Sequence, residues 1–256
     1  MLPVADPWYE TQQLAPRIWC VTEPHVHPIF AANIFLVTGE DRDLVIDSGM
    51  GVAPLRPVID GLRDPAKPLV LLSTHTHVDH IGAAHEFEER WVHPIEAEGL
   101  RTPDPWTLNA ADIGPHLVAL FEEVGFPPLW DLLIDAVPHV GYRPEGYRLT
   151  PAPATRLVED GDDVELGGWT GQILHLPGHS PGQVGLWHGE SGTLFGADAV
   201  YDGPLLWAAP DVEAYAETLR RLAALPVQTV YGGHDGAFGP ARLNQMVAHY
   251  LELWGV

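Results

Sequence analysis

Short runs of apolar and β-branched residues, separated by Gly, Pro and Asp, dominate the first third of the chain. Runs of this length and composition predict β-strands, whereas apolar residues spaced three and four apart predict helices. The continuous apolar run at 69–73 is typical of a strand buried on both faces. This part of the chain is therefore predicted to contain strands at 17–22, 33–38, 44–47 and 69–73, and helices at 54–63 and 81–90.

The segment 101–147 interrupts this rhythm, because it is rich in Pro and Trp and contains two helix-like pieces, 116–125 and 129–137. After this segment the strand pattern resumes, and it again ends in a helix, a strand and a helix. The elements predicted here are strands at 156–159, 164–166, 171–176, 184–188, 193–195 and 229–231, and helices at 212–225 and 240–253.

Both parts run as several strands followed by a helix, a strand and a helix, which indicates a pseudo-duplicated architecture. Two mixed sheets packed face to face, with helices outside, satisfy this order. The sequence therefore predicts an α+β fold, a four-layer αββα sandwich. We expect a single domain over residues 1–256, with a helical insertion at about 101–147. The loops that follow the strands then meet at one edge of the sandwich, where we expect the chemistry.

The chain is strongly acidic, since 13 basic and 35 acidic residues give a formal net charge of −22. Phosphate backbones and anionic lipid headgroups are repelled by such a surface, so neither nucleic acid nor a membrane is an expected partner. A small-molecule substrate is expected instead. Cys20 is the single cysteine, which excludes an internal disulfide and a cysteine-only metal site. The first ten residues lack the pattern of a secretory signal, and a cytoplasmic location is predicted.

A cluster of metal-ligand side chains follows the strand predicted at 69–73. Four such residues fall within six positions on a strand-to-helix loop. Imidazole suits zinc and iron, and a carboxylate adds an anionic oxygen. The alternative is a helix-capping Asp beside polar loop histidines, but four ligand types in so short a loop favour a metal site. The four residues are His75, His77, Asp79 and His80.

Three later strand ends each carry one further candidate ligand, namely His179, Asp198 and His234. Glycines beside them allow tight turns and a close approach of the backbone. Taken singly, each of these turns is ordinary. Together with the first cluster they supply five histidines and two aspartates, enough ligands for two metal ions.

The order of these motifs resembles the metallo-β-lactamase-fold superfamily of dinuclear metallohydrolases, and the resemblance covers nearly the whole chain. It implies two divalent metal ions, with Zn²⁺ expected and Fe or Mn as alternatives. It also implies two ligand sets joined by a bridging carboxylate. Carried over residue by residue, the sets are His75, His77 and His179; Asp79, His80 and His234; and the bridging Asp198.

Two metal ions held in this way would share a water, and the resemblance implies that the bridging hydroxide would attack a small ester-like bond. Asp79 is the candidate to pass the proton to the leaving group. Tyr201 is the candidate to hydrogen-bond the developing oxyanion, with a core aromatic role as the alternative. Its position is similar to that of the tyrosine in acyl-homoserine-lactone lactonases, and segment 201–206 looks like that of acyl-thioesterase members of the superfamily.

The apolar faces of the 101–147 insertion predict either a lid that lines an acyl pocket or a packing surface, which includes a possible homodimer interface. The predicted function is that of a zinc-dependent hydrolase acting on a lactone or thioester with an apolar acyl part. One alternative is an iron-dependent redox enzyme on the same scaffold, because histidine and carboxylate ligands also suit iron. The other is a hydrolase of a different bond, a β-lactam or a phosphoester.

Overall fold

The computed structural model describes residues 2–205 and 212–256, which form two β-sheets with helices outside them. The first sheet has seven strands that follow one another in sequence order. Its first four strands are antiparallel, and the remaining ones run parallel to the fourth. The strands are β1 (Glu10–Ala15), β2 (Ile18–Thr22), β3 (Ile34–Thr38), β4 (Asp43–Ile46), β5 (Leu69–Leu72), β6 (Glu89–Val92) and β7 (Arg156–Leu157).

The second sheet has five strands in the order β12-β11-β10-β9-β8. Its first four strands in sequence pair antiparallel, and β12 joins β11 in parallel after a helix. This sheet thereby repeats the way β5 joins β4, as the predicted duplication requires. The strands are β8 (Asp163–Glu165), β9 (Thr170–His175), β10 (Val184–His188), β11 (Thr193–Ala197) and β12 (Thr229–Gly232).

The described residues form six α-helices, and several short 3-10 turns connect the elements. No helix among residues 2–205 and 212–256 is long and apolar enough to cross a membrane. The helices are α1 (Arg56–Gly61), α2 (Val78–Ile81), α3 (Ala97–Arg101), α4 (Pro115–Glu123), α5 (Val212–Ala223) and α6 (Pro240–Trp254).

Three apolar clusters separate the layers. Along β3, Phe35 faces the other sheet, whereas Leu36 faces the helices and the insertion. Successive side chains point to opposite faces of a strand, so a strand covered on both faces is apolar throughout. A third cluster joins the second sheet to α5 and α6 through residues such as Leu174 and Tyr215. The predicted αββα order of layers is confirmed.

The helix predicted at 81–90 is wrong. Helix α2 ends at Ile81, and the chain continues through a short turn into β6. At Gly82 a Cβ atom would lie 2.0 Å from the carbonyl carbon of Met50, so two backbone segments meet there. Trp91 and Val92 are buried on opposite faces beside β5, which requires an extended chain.

The helix predicted at 129–137 is also wrong, whereas the one at 116–125 is confirmed as α4. The amide of Leu133 donates to the carbonyl of Leu108, and the amide of Asp135 donates to that of His25. Amides bound to distant carbonyls cannot form the local ladder of a helix. The sequence reading also missed β1, whose polar and exposed residues at the sheet edge give no apolar signal.

Candidate metal centre

The structure brings all seven candidate ligands to one edge of the sandwich, each on a loop that follows a strand. The four residues of the first cluster follow β5, and Asp79 and His80 lie in the short helix α2. His179 follows β9, Asp198 follows β11 and His234 follows β12. Residues far apart in the sequence are thereby placed side by side.

Among the described residues, three overlapping groups of potential ligands form at this edge. His75, His77 and His179 each offer one ligand atom, and these atoms lie within 4.8 Å of one another. Asp79, His80 and His234 form a second group by the same measure. The third group, His75, His80 and Asp198, takes one histidine from each of the first two. The first two groups have the same members as the two sets of ligands that the resemblance implied.

Asp198 lies between the first two groups. Its Oδ2 is 3.4 Å from Nε2 of His179 and 3.3 Å from Nε2 of His234. Its Oδ1 is 3.3 Å from Nε2 of His80. One carboxylate therefore faces a histidine of the first group and two histidines of the second.

The hydrogen bonding of the buried His75 ring indicates whether these residues suit a metal ion. Nδ1 of His75 lies 3.1 Å from Oγ1 of Thr74. Its Nε2 is buried and makes no hydrogen bond to any residue that the structure describes. A buried polar atom without a partner is costly unless a ligand satisfies it. Together with the seven converging donors, this atom shows that the residues fit a metal site.

Burial lowers the pKa of His75 well below its usual value, and the neighbouring His80 and His77 add to this effect. Burial, reinforced by His179, also lowers the pKa of His77 to about 4. Both rings are therefore neutral at pH 7. A metal ligand must be deprotonated, so these histidines are prepared to bind a cation.

In the second group, the neighbouring carboxylates raise the pKa of the histidines against the effect of burial. Burial opposes the charge of Asp198, but His80 and His234 hold the pKa of Asp198 well below its usual value. In return, Asp198 raises the pKa of His234 to about 10 against the effect of burial. A cation bound here would therefore displace protons from this group.

Asp47 contacts the candidate ligand His80 and was missed in the sequence, where it was counted only as the end of a strand. Its buried carboxylate accepts hydrogen bonds from His80 Nδ1 at 2.8 Å, Thr74 N at 2.7 Å and Thr74 Oγ1 at 2.8 Å. The bond from Nδ1 fixes the tautomer of His80 and leaves Nε2 facing Asp79 and Asp198. An Asp directly after a buried strand was the available signal.

Glu96 joins two of the ligand loops. Its Oε2 accepts from Thr76 Oγ1 at 2.6 Å, between two ligands of the first cluster. Its Oε1 accepts from Ser180 Oγ and from the Gly182 amide, both at 2.9 Å, just after His179. This buried carboxylate therefore fixes the distance between the two loops.

Tyr215 of α5 holds the turn that carries Asp198 through hydrogen bonds from its hydroxyl. Its hydroxyl donates to the carbonyls of Asp198 and Ala199, at 3.1 and 3.2 Å. Its ring lies against Gly178, whose φ of +145° is accessible mainly to glycine. The turn that carries Asp198 and the loop that carries His179 thus rest on the same buried ring.

Tyr201 lies at the cluster, with its ring centroid 5.3 Å from that of His234. Its side chain is buried, and its hydroxyl donates to the carbonyl of Pro204. Burial raises the pKa of this phenol well above its usual value, and Asp198 adds to the effect. The phenol is therefore neutral and keeps a proton to donate. Of segment 201–206, Leu206 lies outside the described residues.

A cavity of about 270 Å³ opens on the candidate ligands. His77, Asp79, His179, Asp198 and His234 line one part of it together with Tyr201. Ile29 and Phe30 also line it. Most of the remaining lining comes from the 101–147 insertion and a residue close to it. These residues are Asp104, Trp106, Leu117, Leu120, Phe121, Phe126 and Leu149.

The four-layer sandwich, the cluster of His and Asp side chains and the adjoining cavity are the features of a metal-dependent enzyme. The family model described as "Metallo-beta-lactamase superfamily" matches residues 27–234. This range contains every candidate ligand. The chain belongs to the metallo-β-lactamase superfamily.

Its relatives include enzymes whose names refer to thioesters. The "Acyl-coenzyme A thioesterase MBLAC2" of Bos taurus is 32% identical over 265 residues, covering 97% of this chain and 89% of the relative. The "Hydroxyacylglutathione hydrolase GloC" of Haemophilus influenzae is 27% identical over 175 residues, covering 68% of this chain and 69% of the relative.

A solved structure supports the fold. A metallo-beta-lactamase family protein from Thermus thermophilus matches with a TM-score of 0.65 and 23% identity. The match covers 94% of this chain and 81% of that protein. The predicted fold is therefore shared with solved members of the superfamily.

Proposed function

We propose that this protein hydrolyses a small thioester with an apolar acyl part, with a lactone of similar character as the alternative substrate. The observation that carries the proposal is the cavity that joins the candidate ligands to an apolar wall. Such a cavity holds a carbonyl beside the metal centre while the acyl chain is removed from water.

The names of two relatives support a thioester as the substrate. One is named for acyl-coenzyme A and another for hydroxyacylglutathione, and both of these compounds are thioesters. In the reaction, the oxygen of a water forms a bond to the acyl carbon, the carbon–sulfur bond breaks, and the thiol leaves with a proton. The products are a carboxylic acid and a thiol.

Two divalent ions, with zinc expected, would polarise the carbonyl and lower the pKa of the attacking water. We assign the first ion to His75, His77 and His179. The second ion is assigned to Asp79, His80 and His234, and Asp198 is assigned as the bridge.

Two side chains of the cavity would handle protons. The pKa of Asp79 is held below its usual value by His80 and His234, against the effect of burial. It is therefore ionised and suited to receive a proton and pass it to the leaving thiolate. Tyr201 would donate to the carbonyl oxygen as charge develops, after its hydroxyl leaves Pro204.

The test combines metal analysis with a hydrolysis panel. The purified protein should bind two divalent ions per chain and hydrolyse short and medium acyl thioesters, with lactones as the second class tested. His179→Ala and Asp198→Ala should lose metal and activity together. His139→Ala is the matched control, because this histidine is exposed and bonds to the adjacent carbonyl of Val140.

Three results would contradict the proposal. Metal-loaded protein that cleaved no thioester, ester or lactone would refute the reaction class. Stoichiometric iron with oxygen consumption would instead identify a redox enzyme on this scaffold. Activity that survived either substitution would refute the assignment of the ligands.

A further inference from the structure

The cavity has two parts of different chemistry. The part beside the candidate ligands is polar, whereas the part formed by residues 104–149 is almost entirely apolar. Within that second part, Asp104 is the one charged residue among the lining residues that the structure describes. The two parts face a single space, so a substrate whose carbonyl lies at the ligands extends its acyl chain toward the wall that contains Asp104.

Asp104 has no neutralising partner among the described residues. Its side chain is exposed to the cavity and solvent, and no hydrogen bond or ion pair joins it to another described residue. The described lining contains no Arg or Lys, and the sequence of 206–211 contains none either. A negative charge therefore remains at the apolar wall, whatever charge the candidate ligands carry.

We infer that Asp104 determines specificity, so that the site accepts acyl groups with an uncharged end and discriminates against acyl groups that end in a carboxylate. This inference rests on the proposed thioester hydrolysis and narrows its substrate class. A terminal carboxylate would meet a like charge in a wall that offers no basic side chain. A terminal methyl group would lie against Leu117, Leu120 and the neighbouring aromatic rings without a penalty.

The expected size of the discrimination by Asp104 follows from the exposure of its side chain to solvent. Interactions between exposed charges amount to a few tenths of a kcal/mol to about 1 kcal/mol. We therefore expect Asp104 to contribute about a two- to fivefold discrimination between the two acyl ends. Salt screens exposed charges, so this contribution should shrink as the ionic strength rises.

The experiment compares hexanoyl and adipoyl thioesters of the same neutral thiol, N-acetylcysteamine, at low and high salt. The wild-type protein should prefer the hexanoyl thioester, and Asp104→Asn should reduce the ratio of the two kcat/KM values about two- to fivefold. Glu122→Gln is the matched control, because it removes one exposed carboxylate from α4 outside the cavity lining. It should leave the ratio unchanged.

A binding readout separates recognition from turnover. Titration calorimetry with hexanamide and adipamate, which are not thioesters, should show the same change in relative affinity in Asp104→Asn. An unchanged ratio in both assays, or an equal change in Glu122→Gln, would overturn the role of Asp104 while thioester hydrolysis stands. If the wild-type protein cleaves neither thioester, the proposed function fails and the role of Asp104 falls with it.

Discussion

Replacing Asp47 with Asn tests whether residues behind the candidate ligands control the metal centre. The carboxylate accepts three hydrogen bonds, two from Thr74 and one from His80. An amide of the same shape has only one acceptor oxygen. If that oxygen faces His80, the amide nitrogen of Asn meets the Thr74 N–H. If it faces the Thr74 N–H, His80 must carry its proton on Nε2, where the metal ion would bind.

Either orientation leaves a buried donor without an acceptor or imposes the wrong tautomer. An unsatisfied buried donor costs about 1–3 kcal/mol, and loss of a partner behind a metal ligand weakens binding about 10- to 100-fold. We therefore expect Asp47→Asn to lower the affinity for the ion assigned to His80 by about that factor. Competition with a chromophoric chelator measures this affinity, and urea unfolding of the metal-free protein measures the separate effect on stability.

The surface pair His25–Asp135 provides the control for this substitution. Asp135 lies 2.9 Å from Nδ1 of His25, but both side chains are partly exposed and neither belongs to the cluster. Asp135→Asn makes the same chemical change and should leave metal affinity within twofold. If Asp47→Asn bound both ions as tightly as the wild-type protein, orientation of His80 by Asp47 would be refuted.

Two further substitutions test the framework around the site. Asp43 is fully buried and accepts hydrogen bonds from Arg63 and from the chain's single lysine. Asp43→Asn should therefore lower the free energy of unfolding in urea by about 3–5 kcal/mol. A loss below about 1 kcal/mol would contradict this expectation. Gly178→Ala would place a Cβ atom 2.2 Å from the ring of Tyr215, and it should weaken metal binding by displacing the loop of His179. Gly161→Ala is the control, because this glycine also has a positive φ but faces open space, and an equal effect on metal affinity there would contradict the argument.

Much of the architecture was predictable because the sheets are covered on both faces. Continuous apolar runs such as 69–72 have no other stable position than the middle of such a layer. The candidate ligands were predictable for a related reason. Each follows one of these runs, and loops at strand ends meet at one edge of the sandwich.

The failures occurred where distant contacts decide the local conformation. At 129–137 the apolar spacing suits a helix, but the backbone amides bond to carbonyls of residues remote in the sequence. At 81–90, the close approach of Gly82 to Met50 and the burial of Trp91 require a turn and a strand. Periodicity along one segment contains no information on such partners.

The same limit explains why the sequence pointed to the candidate ligands but not to the residues that hold their loops in place. His75, His77, Asp79 and His80 lie within six residues, so their chemistry is visible in one short stretch. Asp47, Glu96 and Tyr215 instead act on ligands from other strands and helices, across 33, 84 and 17 positions in the respective hydrogen bonds. Each of the three is buried, and each bonds to a loop that carries ligands. The ligand loops are therefore held by residues that only the folded chain brings to them, and substitutions at those residues test the centre without touching a ligand.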